Sequence, residues 1–382
     1  MSALPTSSNL PDSAALAEGI RTWIECESPS NSPAGVAAMA TLVEQQARAA
    51  GLTTQLTSLG DTTGPLLYVT NRAQGDTRPG VLVLAHMDTV HPVGTLNENP
   101  CRIDGDKLYG PGSYDMKGGI YLALTALATL AKPDATRLPV DFLLVPDEET
   151  GSHASRPAIE SYARNARYGL VCEPARPNGG KCVTARKGTG MLRLQVKGRP
   201  SHAGMQHEKG RSAIREMAHQ VLALEAMTDY ERGVTVSVGT ISGGTVTNTV
   251  PALCNCVVDF RVPTMEAAED TLTRMRGLKA VGPDVSLDID VELNRPPMVK
   301  SEATTQLLGK ARLFATAAGF QLDDAPMTGG GSDANFTSAM GVPTLDGLGA
   351  DGDGAHTLNE YILVSTLAAR AKFWQLLLRD LE

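Results

Sequence analysis

The sequence predicts an α/β fold, a sheet covered by helices on both faces, interrupted by a smaller α+β domain. Three observations predict it. Short apolar runs bounded by Gly, Pro or Asp, too short for helices, alternate with stretches of helical periodicity through the first part of the chain. Near residue 188 the runs change to alternating apolar and polar residues, the pattern of half-buried strands. From about residue 300 the first style returns. The simplest organisation is one domain in two segments, 1–186 and 297–382, with a second domain, 187–296, inserted between them.

Residues 14–25 and 35–51 carry helical periodicity, and the second run ends at Gly51, a residue suited to a left-handed cap. Runs 66–70, 81–85, 140–145 and 168–172 read as buried strands, with a helix over 119–131 between the second and third. MLRLQVKG (191–198) then alternates, RSAIREMAHQVLALEAM (211–227) is amphipathic, and GVTVSVGTISGG and CNCVVDFRVP follow as two strands. A helix over 263–278 and a strand over 285–294 complete a β-α-β-β-α-β order, that of the split, ferredoxin-like unit. The last segment predicts a helix over 303–318, a Gly-rich loop, a strand over 342–346, a second Gly-rich loop and a helix over 360–381.

The 382 residues are ample for a conventional core, so bulk stability needs no disulfide or metal staple. Aromatic residues are only 4%, which leaves the core to Ala, Val, Leu and Met. A net charge of -8 argues against a surface that tracks phosphates, and so against nucleic acid as partner. It leaves room for an anionic substrate held by a few local cations. No run approaches the ~20 unbroken apolar residues of a membrane span. The first residues, MSALPTSSNLPDSAALAEGI, lack the basic and apolar regions of a secretory signal. None of Cys26, Cys101, Cys172, Cys182, Cys254 and Cys256 forms a CxxC pair, and Cys254 and Cys256 share one strand face as buried free thiols. These features together predict a reducing, cytoplasmic setting.

The chemistry is carried by acids and histidines at strand exits. LVLAHMD puts His86 and Asp88 just past one strand, FLLVPDEETG puts Glu148 and Glu149 past the next, and LVCEP puts Glu173 past a third. GADGDGAHT carries His356 after the late strand, and YGPGSYDMKGG carries Asp115 in a Gly-rich turn feeding a helix. Sites in open α/β sheets form outside the carboxyl ends of the strands, so these residues can converge on one crevice. Each alone reads as a solvated or packed residue; the joint pattern does not. Imidazoles with carboxylates form a metal site suited to zinc, with cobalt or manganese as further candidates. An odd carboxylate between two His/Glu sets suggests a bridging ligand and two metals. One of Glu148 and Glu149 can bind metal while the other accepts a proton from water. Asp88, on the same side of extended chain as His86, can hold the imidazole N–H.

HMDTV, YGPGSYDMKGG, PDEETGS, CEP, RPSHAG, GGGSD and the late GAH together resemble the zinc metallopeptidase family of carboxypeptidase G (glutamate carboxypeptidase), acetylornithine deacetylase, succinyl-diaminopimelate desuccinylase and the aminoacylases. The resemblance covers essentially the whole chain. It implies a zinc-exopeptidase-like catalytic domain with a mixed sheet, an inserted dimerisation or lid domain, two zinc ions per subunit and hydrolysis of amide bonds. It makes Asp115 the bridging ligand, gives His86 and Glu173 to one zinc and Glu149 and His356 to the other, and makes Glu148 the general base and Asp88 the residue orienting His86. His202, in RPSHAG, is implied to reach across a homodimer and polarise the scissile carbonyl; alone it reads as a surface loop residue.

Lys181, Asn248 (GGTVTNTVP) and Arg295 (ELNRPP) match places used by carboxypeptidase G-like members. An Arg fork and a Lys ammonium suit a carboxylate, which favours a small-molecule or peptide substrate with a free C-terminal carboxylate. Gly330, in GGGSD, can supply permissive backbone and exposed N–H groups beside it. GGTVTN lacks the GK[ST] ending of a phosphate loop, and no GxSxG segment supports a serine hydrolase. The expected activity is release of a C-terminal, glutamate-like residue. The rivals are an N-acyl-amino-acid deacylase and, from another class, a non-catalytic metal-binding scaffold, which retention of the base and the ligands disfavours.

Overall fold

The first two helices begin where the sequence supplies caps. The α1 helix (Ser13–Ile24) starts behind Asp12, whose carboxylate accepts from Ala15 N. The α2 helix (Pro33–Ala49) starts behind Ser32, with Pro33 where a missing N–H is harmless, and Gly51 follows it at φ 88°. The structure, a computed structural model, describes residues 4–5 and 9–382. Chain contacts divide it into two units: Met1–Ala185 with Lys300–Thr328 and Ser332–Glu382, and Arg186–Val299 with Gly329–Gly331.

In the first unit β1 (Thr53–Thr57) pairs antiparallel with β2 (Leu66–Thr70). Both β3 (Gly80–His86) and the later β4 (Val140–Val145) are buried along their whole lengths, as strands covered on two faces must be. Between them α3 (Gly118–Ala128) is buried at every residue, and β5 (Ala166–Val171) follows.

The second unit alternates as its sequence does. Its elements are β6 (Gly188–Lys197), α4 (Ala213–Glu225), β7 (Thr235–Gly243), β8 (Leu253–Val262), α5 (Met265–Arg276) and β9 (Ser286–Arg295). The sheet order is β7-β8-β6-β9, antiparallel throughout. Every second residue of β8, from Cys254 to Val262, is buried. These pack with Ala213, Met217 and Leu224 of α4 and Ala268 and Met275 of α5, so one face of the sheet is covered and the other carries Arg193–Asp290 and Lys197–Asp288 pairs.

The chain then returns to the first unit with α6 (Glu302–Ala318), β10 (Thr344–Leu345) and α7 (Leu367–Asp380). The main sheet has the order β1-β2-β4-β3-β5-β10. Parallel pairing of β3 with β4 and β5, and antiparallel pairing of β2 with β4, make it mixed. Helix α3 packs on α7, and Trp23, Phe142, Phe373 and Trp374 are fully buried in this core. The indole N–H groups of Trp23 and Trp374 donate to Gln46 Oε1 and Leu348 O at 3.0 Å, as buried indoles require.

Two expectations are corrected, and one strand was not expected. The last helix starts at Leu367 rather than 360, because Tyr361–Leu363 is a strand paired with Lys107–Tyr109. Strand β1, exposed along most of its length, carries no buried-strand signal. Gly329–Gly331 belongs to the second unit rather than to the return segment. Arg186 Nη1 and Arg261 Nη1 donate to the carbonyls of Gly330 and Gly329 at 2.9 and 3.3 Å. A Cβ on Gly331 would meet Arg295 Cδ at 2.8 Å, so the close approach needs glycine. All six cysteines are free thiols, with Cys172, Cys182, Cys254 and Cys256 buried. Among the described residues no helix is long and apolar enough to cross a membrane.

Candidate active site

Because β3, β4 and β5 run parallel, their carboxyl ends share one edge of the sheet. His86 is beside Val145, and Leu84 beside Val171. The residues that follow each strand therefore line one rim: Asp88 after β3, Glu148 and Glu149 after β4, Glu173 after β5. Asp115 comes from the turn entering α3, where Gly119 lets the helix approach the end of β5: a Cβ there would lie 2.2 Å from Cys172 O. His356 comes from the loop before Tyr361–Leu363 and holds φ 64°, a strained value for a residue with a side chain.

The two oxygens of Asp115 face different histidines. Oδ1 is 3.1 Å from His86 Nε2 and Oδ2 is 3.3 Å from His356 Nε2. His356 Nε2 is also 3.4 Å from Glu149 Oε2, and His86 Nε2 is 3.8 Å from Glu173 Oε1. Ligand atoms of His86, Asp115 and Glu149 lie within 4.8 Å of one another, as do those of His86, Glu148 and Glu173.

Asp88 does more than its sequence position suggests. Its backbone carbonyl, at 2.9 Å, is the nearer acceptor for His86 Nδ1, and its carboxylate stands at 3.5 Å. A carbonyl can only accept, so Nδ1 carries the proton and Nε2 presents a lone pair to the site. The carboxylate itself accepts from Ser30 Oγ at 2.7 Å and from the N–H groups of Glu148 and Glu149 at 3.1 and 3.2 Å. One fully buried side chain thus ties the β3 exit to the β4 exit.

The electrostatics call for a cation. Burial, with Asp115 and Glu148 nearby, pushes the Glu149 carboxyl up to about 7, against the pull of His356. Burial and the same two acids push Glu173 well above the carboxylate range. Hydrogen bonds to Asp115 and Glu149 raise His356 to about 10. Glu149 Oε1 is buried without a hydrogen-bond partner. An orphaned carboxylate oxygen among crowded acids and two imidazoles fits a divalent metal, which this nitrogen and oxygen donor set suits.

Residues 82–380 match the family model for peptidase family M20/M25/M40. The chain belongs to this family. It is 30% identical over 373 residues to carboxypeptidase G2 of Pseudomonas sp. (strain RS-16), covering 96% of this chain and 89% of that protein. It is 28% identical over 331 residues to a succinyl-diaminopimelate desuccinylase of Shewanella piezotolerans (strain WP3 / JCM 13877), covering 81% and 84%. Its fold matches the M20 family metallo-carboxypeptidase Sso-CP2 from Sulfolobus solfataricus with a TM-score of 0.75 at 17% identity, over 95% of this chain and 98% of that one. This M20 chain is a metal-dependent hydrolase of the peptidase and amidohydrolase class, acting on amide bonds of peptides or acyl amino acids.

The other expected residues fall in two places. Lys181 lies in the first unit, where its backbone pairs with Arg176 across a tight turn. Asn248, Arg295, Gly330 and His202 lie in the second. There Asn248 O accepts from Ala203 N at 2.9 Å, which puts Asn248 next to His202, and Arg295, 4% exposed, packs on Gly331 beside Gly330. Sequence reasoning missed Glu360 and His91. Glu360 is fully buried beside His91 with an Oε2–Nε2 distance of 2.7 Å. Its partners lie in remote loops, so spacing carried no signal.

Proposed function

We propose that this M20 enzyme is a glutamate carboxypeptidase-like exopeptidase, cleaving the amide bond that joins a C-terminal residue with a free carboxylate to a peptide or acyl group. The observation that carries it is the Asp115 carboxylate, with one oxygen turned to each histidine. In this reading His86, Glu173 and Asp115 would hold one zinc ion, and Glu149, His356 and Asp115 a second. When bound, the cations supply Lewis-acid polarisation and make a water acidic enough to ionise near neutral pH.

The chain's own residues do the rest. Glu148, adjacent to a ligand and within reach of the same cluster, accepts the proton of the attacking water and returns it to the leaving nitrogen. Asp88 fixes the His86 tautomer and holds the N–H groups of the Glu148–Glu149 turn. His202 Nδ1 accepts from Gly204 N and Met205 N, both at 3.2 Å, so its proton sits on Nε2, ready to donate to a developing oxyanion. Lys181 in the first unit, and Arg295 with Asn248 and the Gly330 backbone in the second, are each suited to a substrate carboxylate.

The reading includes a homodimer through the second unit. Strand β7, an edge of its sheet among the described residues, exposes Ile241, and α4, which packs on that sheet, exposes Ile214 and Leu222. Free thiols throughout suit a reducing, cytoplasmic setting.

The test is a substrate panel on zinc-loaded and chelated protein. Folate-type and peptidyl glutamates should be cleaved faster than acetyl, succinyl or longer acyl amino acids. Indifference to the C-terminal residue with selection of the acyl group makes the enzyme a deacylase instead. Binding of acyl amino acids without turnover makes it a scaffold.

A further inference from the structure

Glu360 is a carboxylate with no exposed surface and an unusual set of neighbours. Its Oε1 accepts from the backbone N–H groups of Tyr114 and Asp115, both at 2.8 Å. Its Oε2 accepts from Gly112 N at 3.0 Å and lies 2.7 Å from His91 Nε2. Both oxygens are thus used twice, and three of the four contacts go to the turn that presents Asp115. Other bonds hold the rest of the turn: Ser113 N donates to Gly110 O at 3.1 Å and Lys117 N to Gly112 O at 2.9 Å. Gly112 is at φ 71°, and Asp115 and Met116 depart from helical geometry just before α3 begins. Three backbone donors of one turn, from Gly112, Tyr114 and Asp115, converge on one carboxylate and hold the loop in the arrangement in which Asp115 divides its oxygens between the histidines.

We propose that Glu360 is a positioning residue for Asp115, and that His91 positions Glu360. The proposal rests on the metal-bridging reading of Asp115 and adds its cause. Chain order explains the design: Glu360 lies shortly after His356, and His91 shortly after His86 and Asp88. The Glu360–His91 contact therefore links the loops bearing His86 and His356 at the point where both meet the Asp115 turn. A charged acceptor suits the task, since hydrogen bonds from N–H to a carboxylate are shorter and stronger than those to a neutral group.

The test uses the full chain and reads metal binding, not only turnover. Zinc affinity is measured by competition with a chromophoric chelator, and cobalt is substituted to give a visible absorption band that reports ligand geometry. Glu360→Gln replaces one acceptor oxygen by a donor and should weaken zinc binding by about 10- to 100-fold, the effect typical of groups that hold metal ligands in place. It should also alter the cobalt band. His91→Leu should move both readouts in the same direction, while His91→Gln, which keeps a donor for Glu360, should restore them. A merely structural role would lower the thermal midpoint of metal-free protein without changing the cobalt band. Wild-type zinc affinity and cobalt spectrum in Glu360→Gln would overturn the positioning role alone. Failure of the unaltered protein to bind metal at all would overturn the bridging reading with it. Should Glu360→Gln not fold, His91→Leu against His91→Gln decides: equal behaviour of the two contradicts the proposal.

Discussion

At the scale of single residues, adjacent acids have different surroundings. Glu149 faces His356, while Glu148 lies in the group with His86 and Glu173. Glu148→Ala should keep zinc content and lose turnover by about 10²- to 10⁴-fold, the usual worth of a positioned base. Metal analysis beside steady-state kinetics checks it, and unchanged activity removes the base. His202→Ala should leave zinc content intact and lower kcat by about 10²- to 10³-fold, as loss of an oxyanion donor does. Mixing His202→Ala and Glu148→Ala subunits should recover activity only if one subunit lends its histidine to the other. Asp88, Glu148, Glu149 and Glu173 were legible as candidates because each follows an apolar run, where a charge is conspicuous, and Asp115 because it stands in a Gly-rich turn feeding a helix. Glu360 was not, because what it binds is backbone, and backbone donors have no letter in the sequence.

Secondary-structure elements explain why the residues converge. Three parallel strands, β3, β4 and β5, end on one edge, and this brings together His86, Asp88, Glu148, Glu149 and Glu173. Buried runs such as Val140–Val145 were readable to the residue, since a strand covered on both faces is apolar throughout. Three-residue strands such as Tyr361–Leu363 were not, because so short a run has no period of its own. Arg186, Arg261 and Arg295 claim Gly329–Gly331 for the second unit, a contact that chain order hides. At this scale the dimer is testable. Leu222 of α4 is 72% exposed, so Leu222→Asp should change folding stability by less than about 0.5 kcal/mol. It should still shift the protein to a monomer in sedimentation and depress turnover. A dimer of normal activity would place the interface elsewhere.

For the whole molecule, the division of labour is by unit. The first holds His86, Asp88, Asp115, Glu148, Glu149, Glu173 and His356, and the second holds His202 on a two-residue strand, Asn248 in the turn before the strand it pairs with, and Arg295 at the end of β9. Both were visible as a change from buried runs to alternating strands near residue 188 and back again near 300. Chelation should abolish hydrolysis and zinc should restore it, with circular dichroism unchanged, because the core around Trp23, Phe142 and Trp374 includes none of the candidate ligands and is large enough to need no metal staple. Loss of secondary structure on chelation would mean that the cation is structural.

The most direct measurement is an anomalous difference map, collected at the zinc edge, from crystals of the zinc-loaded protein. Two peaks should flank the Asp115 carboxylate, about 3.5–4 Å apart as in other two-metal sites, one beside His86 and one beside His356. A single peak, or zinc bound away from Asp115, would contradict the shared-carboxylate centre.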